Sequence, residues 1–175
     1  VGADRVRRAL DESARLLETI TEQTLALMNS GARLDDVIHG VEFPDELMER
    51  PYLRPSYDDP RFIVRNLWRL YGGWYDGNPA HLNPAPEADL ARAVHELAGG
   101  GDALTRLASQ AAADGRLDLA AHFAEWAVQS EPENRAAHGA RAAIYRERVK
   151  RETSLMAHGI YGAAARDSEA VSEGD

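Results

Sequence analysis

Six histidines are the side chains in this sequence best equipped for chemistry: His39, His81, His95, His122, His138 and His158. Imidazole ligates zinc or moves a proton near neutral pH, but a metal site needs three or four ligands brought together. Here the gaps between successive histidines run from 14 to 42 residues. His122 and Glu125 make a lone His-x-x-Glu on one helix face, whereas a carboxylate di-metal bundle uses two Glu-x-x-His pairs and two further acids. The sequence contains no His-Glu-x-x-His and no Gly-x-Ser-x-Gly. Gly99-Gly100-Gly101 precedes a helical stretch but has neither the lysine nor the preceding strand of a phosphate-binding loop, and it reads as a flexible joint. With zero cysteines, thiol catalysis, disulfides and Cys-ligated zinc are excluded, while the compartment stays open. The residues therefore mark no catalytic, cofactor-binding or metal position.

One loop stands out instead. Gly72-Gly73-Trp74-Tyr75-Asp76-Gly77-Asn78-Pro79 interrupts a chain that otherwise reads as helix after helix. Glycine permits positive φ, and Asp-Gly and Asn-Pro are turn dipeptides. Trp74 and Tyr75 bring large apolar area into a segment too short for its own helix, so the loop is expected to be packed down, as a structural turn or a partner contact made by Gly73, Trp74, Tyr75, Asp76, Gly77, Asn78 and Pro79. His81 follows and is expected to pin the loop through a backbone contact.

The elements around the loop are helical. Val6, Leu10, Leu17, Ile20, Thr24 and Leu27 recur at helical spacing, widened by Leu16 and Met28, and predict a helix over 4–29 with Gly31 at its end. A helix of about 25 residues is roughly 38 Å long, longer than one small core needs. Part of its stripe is therefore expected to meet a second copy of the chain, through Leu10, Leu17, Ile20 and Leu27. Short helices are expected near 34–39 and 44–49, then an extended arm, Arg50 to Tyr57, adding Tyr52 and Tyr57 to that interface. Pro60 opens the next helix, with Phe62, Ile63, Leu67, Trp68, Leu70 and Tyr71 making it apolar up to the loop. Leu90, Val94 and Leu97 predict a helix over 87–98.

From Asp102 the pattern resembles one tetratricopeptide-like unit ending at Pro132. Leu104, Leu107, Ala108, Ala111, Ala120 and Ala127 take its small and apolar positions, with Asp114-Gly115 as the turn of a helical hairpin over 102–131. No second turn stands at the right distance, so the unit reads as a hairpin leaning on its neighbours, including a helix from Ala136 and a last one from Leu155. The expectation is an all-α bundle of about seven to nine helices, with one domain over 1–165 and a flexible acidic tail over 166–175.

Composition agrees with a soluble helical domain: 175 residues, 44% hydrophobic and 28% charged. The net charge of −9 argues against a general nucleic-acid binder, which needs a basic face. No apolar run approaches the ~18 residues of a membrane span, and nothing distinguishes a cytoplasmic from an exported protein. The start at Val1 and the polar end suit a piece excised from a longer protein.

Gly73-Trp74-Tyr75-Asp76-Gly77-Asn78-Pro79 with Ala80-His81-Leu82 resembles the Gly-Trp-aromatic-Asp-Gly-Asn-Pro segment of bacterial alkyl sulfatases of the metallo-β-lactamase superfamily. Glu22 to Leu25, Asn29 to Gly31, Phe43-Pro44, Thr153 to Ala157 and Gly159 to Tyr161 agree with the same pattern, so the resemblance runs from about Leu16 to about Arg166. It implies the α-helical dimerisation domain of a dodecyl sulfate hydrolase. The two zinc ions of that enzyme class would be held by a His-x-His-x-Asp-His run on a catalytic domain absent from this chain. A homodimer and the catalytic domain of the same protein are the implied partners. Two other readings rest on the residues alone: a free-standing helical-repeat scaffold for a peptide or protein, and a small-molecule pocket lined by Tyr52, Tyr57, Trp68, Trp74 and Tyr75.

Overall fold

The first helix is positioned by the side chains it buries. Leu16, Ile20 and Thr24 recur every four residues and sink into a core with Val37, Ile38, Val41, Leu47 and Val64. The computed structural model describes residues 2–174; Val1, and Asp175 of the expected tail, lie outside the described residues. Among the described residues, nine α-helices and one 3-10 turn make up the regular structure and no strand occurs. The all-α expectation holds. Where the sequence reads as one domain, the chain divides into two compact units, 1–83 and 84–175.

The first unit holds α1 (Ala3–Asn29), α2 (Leu34–Gly40), α3 (Asp45–Met48) and α4 (Pro60–Gly72). α1 packs on α4 and α2. Asp59 caps α4 by accepting from the Arg61 backbone N–H at 2.8 Å, and Pro60 supplies the preset φ of a first helical residue. Gln23 ties α1 to the chain after α2, donating to the Glu42 carbonyl at 2.8 Å and accepting from the Glu42 N–H at 2.9 Å. The segment 50–57 is not the extended arm expected from its prolines. It turns tightly, with Leu53 and Arg54 N–H groups both donating to the Arg50 carbonyl, and it docks on its own α1. There Glu12 receives Arg50 Nε at 3.1 Å and the Tyr52 hydroxyl.

The second unit contains α5 (Glu87–Leu97), α6 (Ala103–Ala113), α7 (Leu117–Ser130), α8 (Arg135–Arg151) and α9 (Leu155–Glu173). The predicted hairpin is α6 and α7, with Gly115 at φ 79° in the turn. Ala108, Ala111, Ala120, Ala121 and Ala124 meet Ile144 in one core, and their small side chains let the helices approach closely. Leu107 is exposed, although its place in the repeat pattern is apolar. A second hairpin, α8 and α9, was not legible as one, because side chains rather than an Asp-Gly pair build its turn. The Glu152 carboxylate accepts the Thr153 and Ser154 N–H groups at 2.9 and 3.0 Å, and Ser154 caps α9 through the Ala157 N–H. α8 packs on α6, α7 and α9.

Two further expectations fail here. The helix does not fade at Arg166 but continues to Glu173, held by buried Ala165 and Ser168 and by Arg146, whose guanidinium grips Glu169 at 2.7 and 2.5 Å. The three-glycine joint is a defined turn, with φ of 108°, 69° and 49° at Gly99, Gly100 and Gly101 and the Gly100 N–H on the His95 carbonyl at 2.9 Å.

Candidate functional site

The Gly72–Pro79 loop is built around Asp76. Its carbonyl accepts the Leu34 N–H at 3.0 Å, joining the loop to the start of α2. Its Oδ1 accepts the Asn78 N–H at 2.9 Å, and Oδ2 meets His81 Nδ1 at 2.5 Å. Asn78 Oδ1 accepts the Ala80 N–H at 3.1 Å, which orients the amide so that its Nδ2 faces His81 Nε2, also at 3.1 Å. Because an amide NH2 can only donate, Nε2 must accept, and the imidazole proton sits on Nδ1 toward Asp76. The His81 hydrogen bond, and after it the Asn78 N–H, hold the Asp76 carboxyl below its ordinary pKa. His81 thus pins the loop, but through side chains rather than the expected backbone contact.

Two glycines make this path possible. Gly73 has φ 81° where α4 ends, and Gly77 has φ 91°. A Cβ on Gly77 would stand 2.9 Å from Arg33 Cγ and 3.2 Å from its Cβ. Trp68 Nε1 donates to the Tyr75 carbonyl at 3.1 Å, fastening the loop back to α4. Pro79 opens the 3-10 turn Pro79–His81.

The loop's backbone is therefore fixed while its aromatics are not buried, contrary to the expected packed plug. Trp74 is 74% exposed and stacks edge-on against Tyr75, with ring centroids 6.2 Å apart. Leu70, Tyr71 and Leu82 nearby in the chain are exposed as well. Nor do the aromatics form the pocket read from the sequence. Tyr52 is engaged with Glu12, and the open cleft of about 500 Å³ beside the loop is lined instead by polar groups that include Arg33, Asp36, Arg65, Asp76, Asn78 and His81. Arg33 was missed because nothing in its local sequence says that Gly77 will lie on it.

The expected interface residues divide. Leu10 is 66% and Leu17 50% exposed, and Tyr52 and Tyr57 are also at the surface. Ile20 is a correction: at 0% exposure it belongs to the core of its own unit and cannot touch a partner. Leu27 is half-buried against that core. One apolar stripe of α1 thus starts in solvent at Val6, Leu10 and Leu17 and ends inside at Ile20 and Thr24.

The histidines do not converge. His39 reaches the Asp35 carbonyl at 2.8 Å, and His138 bridges the Pro132 carbonyl and Ser168 Oγ. Glu125 beside His122 is taken by Arg141 and Tyr145. Among the described residues no group of three His, Cys, Asp or Glu side chains is placed to hold a metal ion. No helix is long and apolar enough to cross a membrane, among the described residues.

The family model for alkyl sulfatase dimerisation matches residues 33–170. A linear primary-alkylsulfatase from a Pseudomonas strain is 29% identical over 175 residues, covering 99% of this chain and 33% of the relative. An (R)-specific secondary-alkylsulfatase from Pseudomonas is 31% identical over 142 residues, 81% of this chain and 21% of the relative. Among solved structures, the stereoselective inverting sec-alkylsulfatase Pisa1 from Pseudomonas superposes with a TM-score of 0.85 at 26% identity, over 99% of this chain and 27% of that one. The chain spans only about a fifth to a third of the length of these relatives. The family match begins after α1, whereas the likeness to the primary-alkylsulfatase and to Pisa1 includes it.

Proposed function

The chain belongs to the alkyl sulfatase dimerisation family, and from that premise we propose that it joins two copies of a larger sulfate-ester hydrolase, using α1 as the contact. The observation that carries this reading is the exposed half of the α1 stripe. Val6, Leu10 and Leu17 continue the line of Ile20 and Thr24, yet they stand outside the core of their own unit and leave 48%, 66% and 50% of their surface exposed. A symmetric dimer covers such a stripe with the same stripe of the second copy. Tyr52, held on α1 through Glu12, adds an amphipathic ring to that surface.

The hydrolytic chemistry is assigned to a catalytic domain outside this chain. There zinc would generate a hydroxide nucleophile near neutral pH. That domain is also the proposed occupant of the exposed Leu70, Tyr71, Trp74 and Leu82 surface. A loop whose backbone is fixed by Asp76 and His81 presents Trp74 with little entropy left to lose on docking.

Because the sequence has no cysteine, single-cysteine cross-linking tests the contact cleanly. Leu10→Cys should give a disulfide-linked pair under mild oxidation, whereas Leu97→Cys, at an 88% exposed position of α5, should not. Equal cross-linking at both positions would reject α1 as the contact. In the full-length parent, amide exchange over 70–82 should slow relative to the isolated chain. Unchanged exchange would remove the catalytic domain as that loop's partner.

A further inference from the structure

A second, smaller cleft of about 230 Å³ lies between α5 and α7, lined by Glu87, Leu90, His122, Glu125, Trp126 and Gln129. All six residues belong to the second unit, whereas α1 and the Gly72–Pro79 loop belong to the first. The four from α7 stand at i, i+3, i+4 and i+7 and form one continuous face of that helix. Glu125 is held rigidly: its Oε1 accepts Arg141 Nε at 2.8 Å and the Tyr145 hydroxyl at 2.7 Å, and its Oε2 has no hydrogen bond among the described residues. Burial, and then this hydrogen bond, push the Tyr145 phenol well above its ordinary pKa, so it stays a donor to Glu125 at any physiological pH. Glu87, in the first turn of α5, and Gln129 make no side-chain hydrogen bond or ion pair among the described residues. Trp126 and Leu90 supply the apolar part of the lining.

We propose that this cleft seats one arginine side chain of a protein segment, its guanidinium against Trp126 and between Glu87 and Glu125. An anion would meet two carboxylates. An apolar side chain would strip water from them and return nothing. A cation on an aliphatic stem satisfies both parts of the lining at once, with the stem on Leu90 and the charge on the carboxylates and the indole face. Arginine fits better than lysine because its planar fork donates to two acceptors in fixed directions. The volume lies below the roughly 300 Å³ at which sites for drug-sized ligands begin, which suits one inserted side chain. Arg141 already offsets part of the Glu125 charge, so Glu87 provides most of the attraction.

The test is a two-dimensional NMR titration of the 175-residue chain with N-acetyl-arginine amide, following the Trp126 indole N–H and the Leu90 backbone N–H. Saturable shifts at both are expected, with weaker binding of N-acetyl-lysine amide and none of N-acetyl-norleucine amide. Glu87→Gln, at an exposed position, should weaken arginine binding about threefold while leaving the thermal midpoint in place. An absent or non-saturating shift at Trp126, an equal response to norleucine amide, or undiminished binding by Glu87→Gln would each overturn the site. Lysine amide binding as tightly as arginine amide would overturn the guanidinium assignment.

Discussion

Gly77→Ala probes the loop at its tightest point. At φ 91° an alanine occupies the left-handed side of the map, which costs roughly 1–2 kcal/mol for an L-residue. The new Cβ would also stand 2.9 Å from Arg33 Cγ and 3.4 Å from its Cα. The neighbour is the root of the side chain plus backbone, so it cannot swing away, and forced overpacking adds about 1 kcal/mol or more. The sum is about 2–4 kcal/mol against the first unit. Gly100→Ala meets only His95 Nε2 at 3.9 Å but has φ 69°, so it costs the backbone part alone, about 1–2 kcal/mol. It is not the silent change a flexible joint would allow. Gly139→Ala, inside α8 with nothing within 4 Å of its Cβ, should stabilise by about 1 kcal/mol. Urea unfolding followed by circular dichroism measures all three. A Gly77→Ala cost under about 0.5 kcal/mol, or a Gly100→Ala cost equal to it, would refute the reasoning.

Thr24 is fully buried in α1 and its Oγ1 has no hydrogen-bond partner among the described residues, so Thr24→Val should raise stability by about 1 kcal/mol; any loss would show that the hydroxyl is satisfied in solution. Because the folded Asp76 pKa lies below its ordinary 3.8, the carboxylate stabilises the loop above that pH, and the gain is lost as pH falls through the folded pKa. The stability gap between the wild-type chain and Asp76→Asn should therefore be widest near neutrality and close below pH 3.8; a gap independent of pH would contradict this. Arg141→Met should destabilise the second unit by a few kcal/mol, since it leaves Glu125 without its cation and Ala164 without its donor. A thermal midpoint equal to wild type would reject that network as a support of α7 against α8 and α9.

Periodicity and turn chemistry made most elements legible: α1 from its stripe, α4 from Pro60, and the α6–α7 hairpin from Asp114-Gly115. The second hairpin was hidden because Glu152 and Ser154 make its turn with side chains that look ordinary in a sequence. The acidic end looked disordered because its anchors, Arg146 and Arg135, lie more than twenty residues away on α8. An apolar stripe also does not say where it leaves its own core, which is why Ile20 was expected at an interface and Leu16 was read only as widening the stripe. The Asp-Gly-Asn-Pro turn was readable, but the exposure of Trp74 was not, since hydrophobicity alone predicts burial.

The mass of the chain in solution tests dimerisation through α1 most directly. Multi-angle light scattering of the wild-type chain at high micromolar concentration should give twice 19.2 kDa. Leu17→Glu, which places a charge in the stripe to be desolvated, should return it to 19.2 kDa with the helical content kept, because Leu17 lies outside its own unit's core. Glu18→Lys, one position around the same helix, should leave the dimer intact. A folded wild-type chain of 19.2 kDa at that concentration, or a Leu17→Glu variant that stays dimeric, would contradict dimerisation through α1.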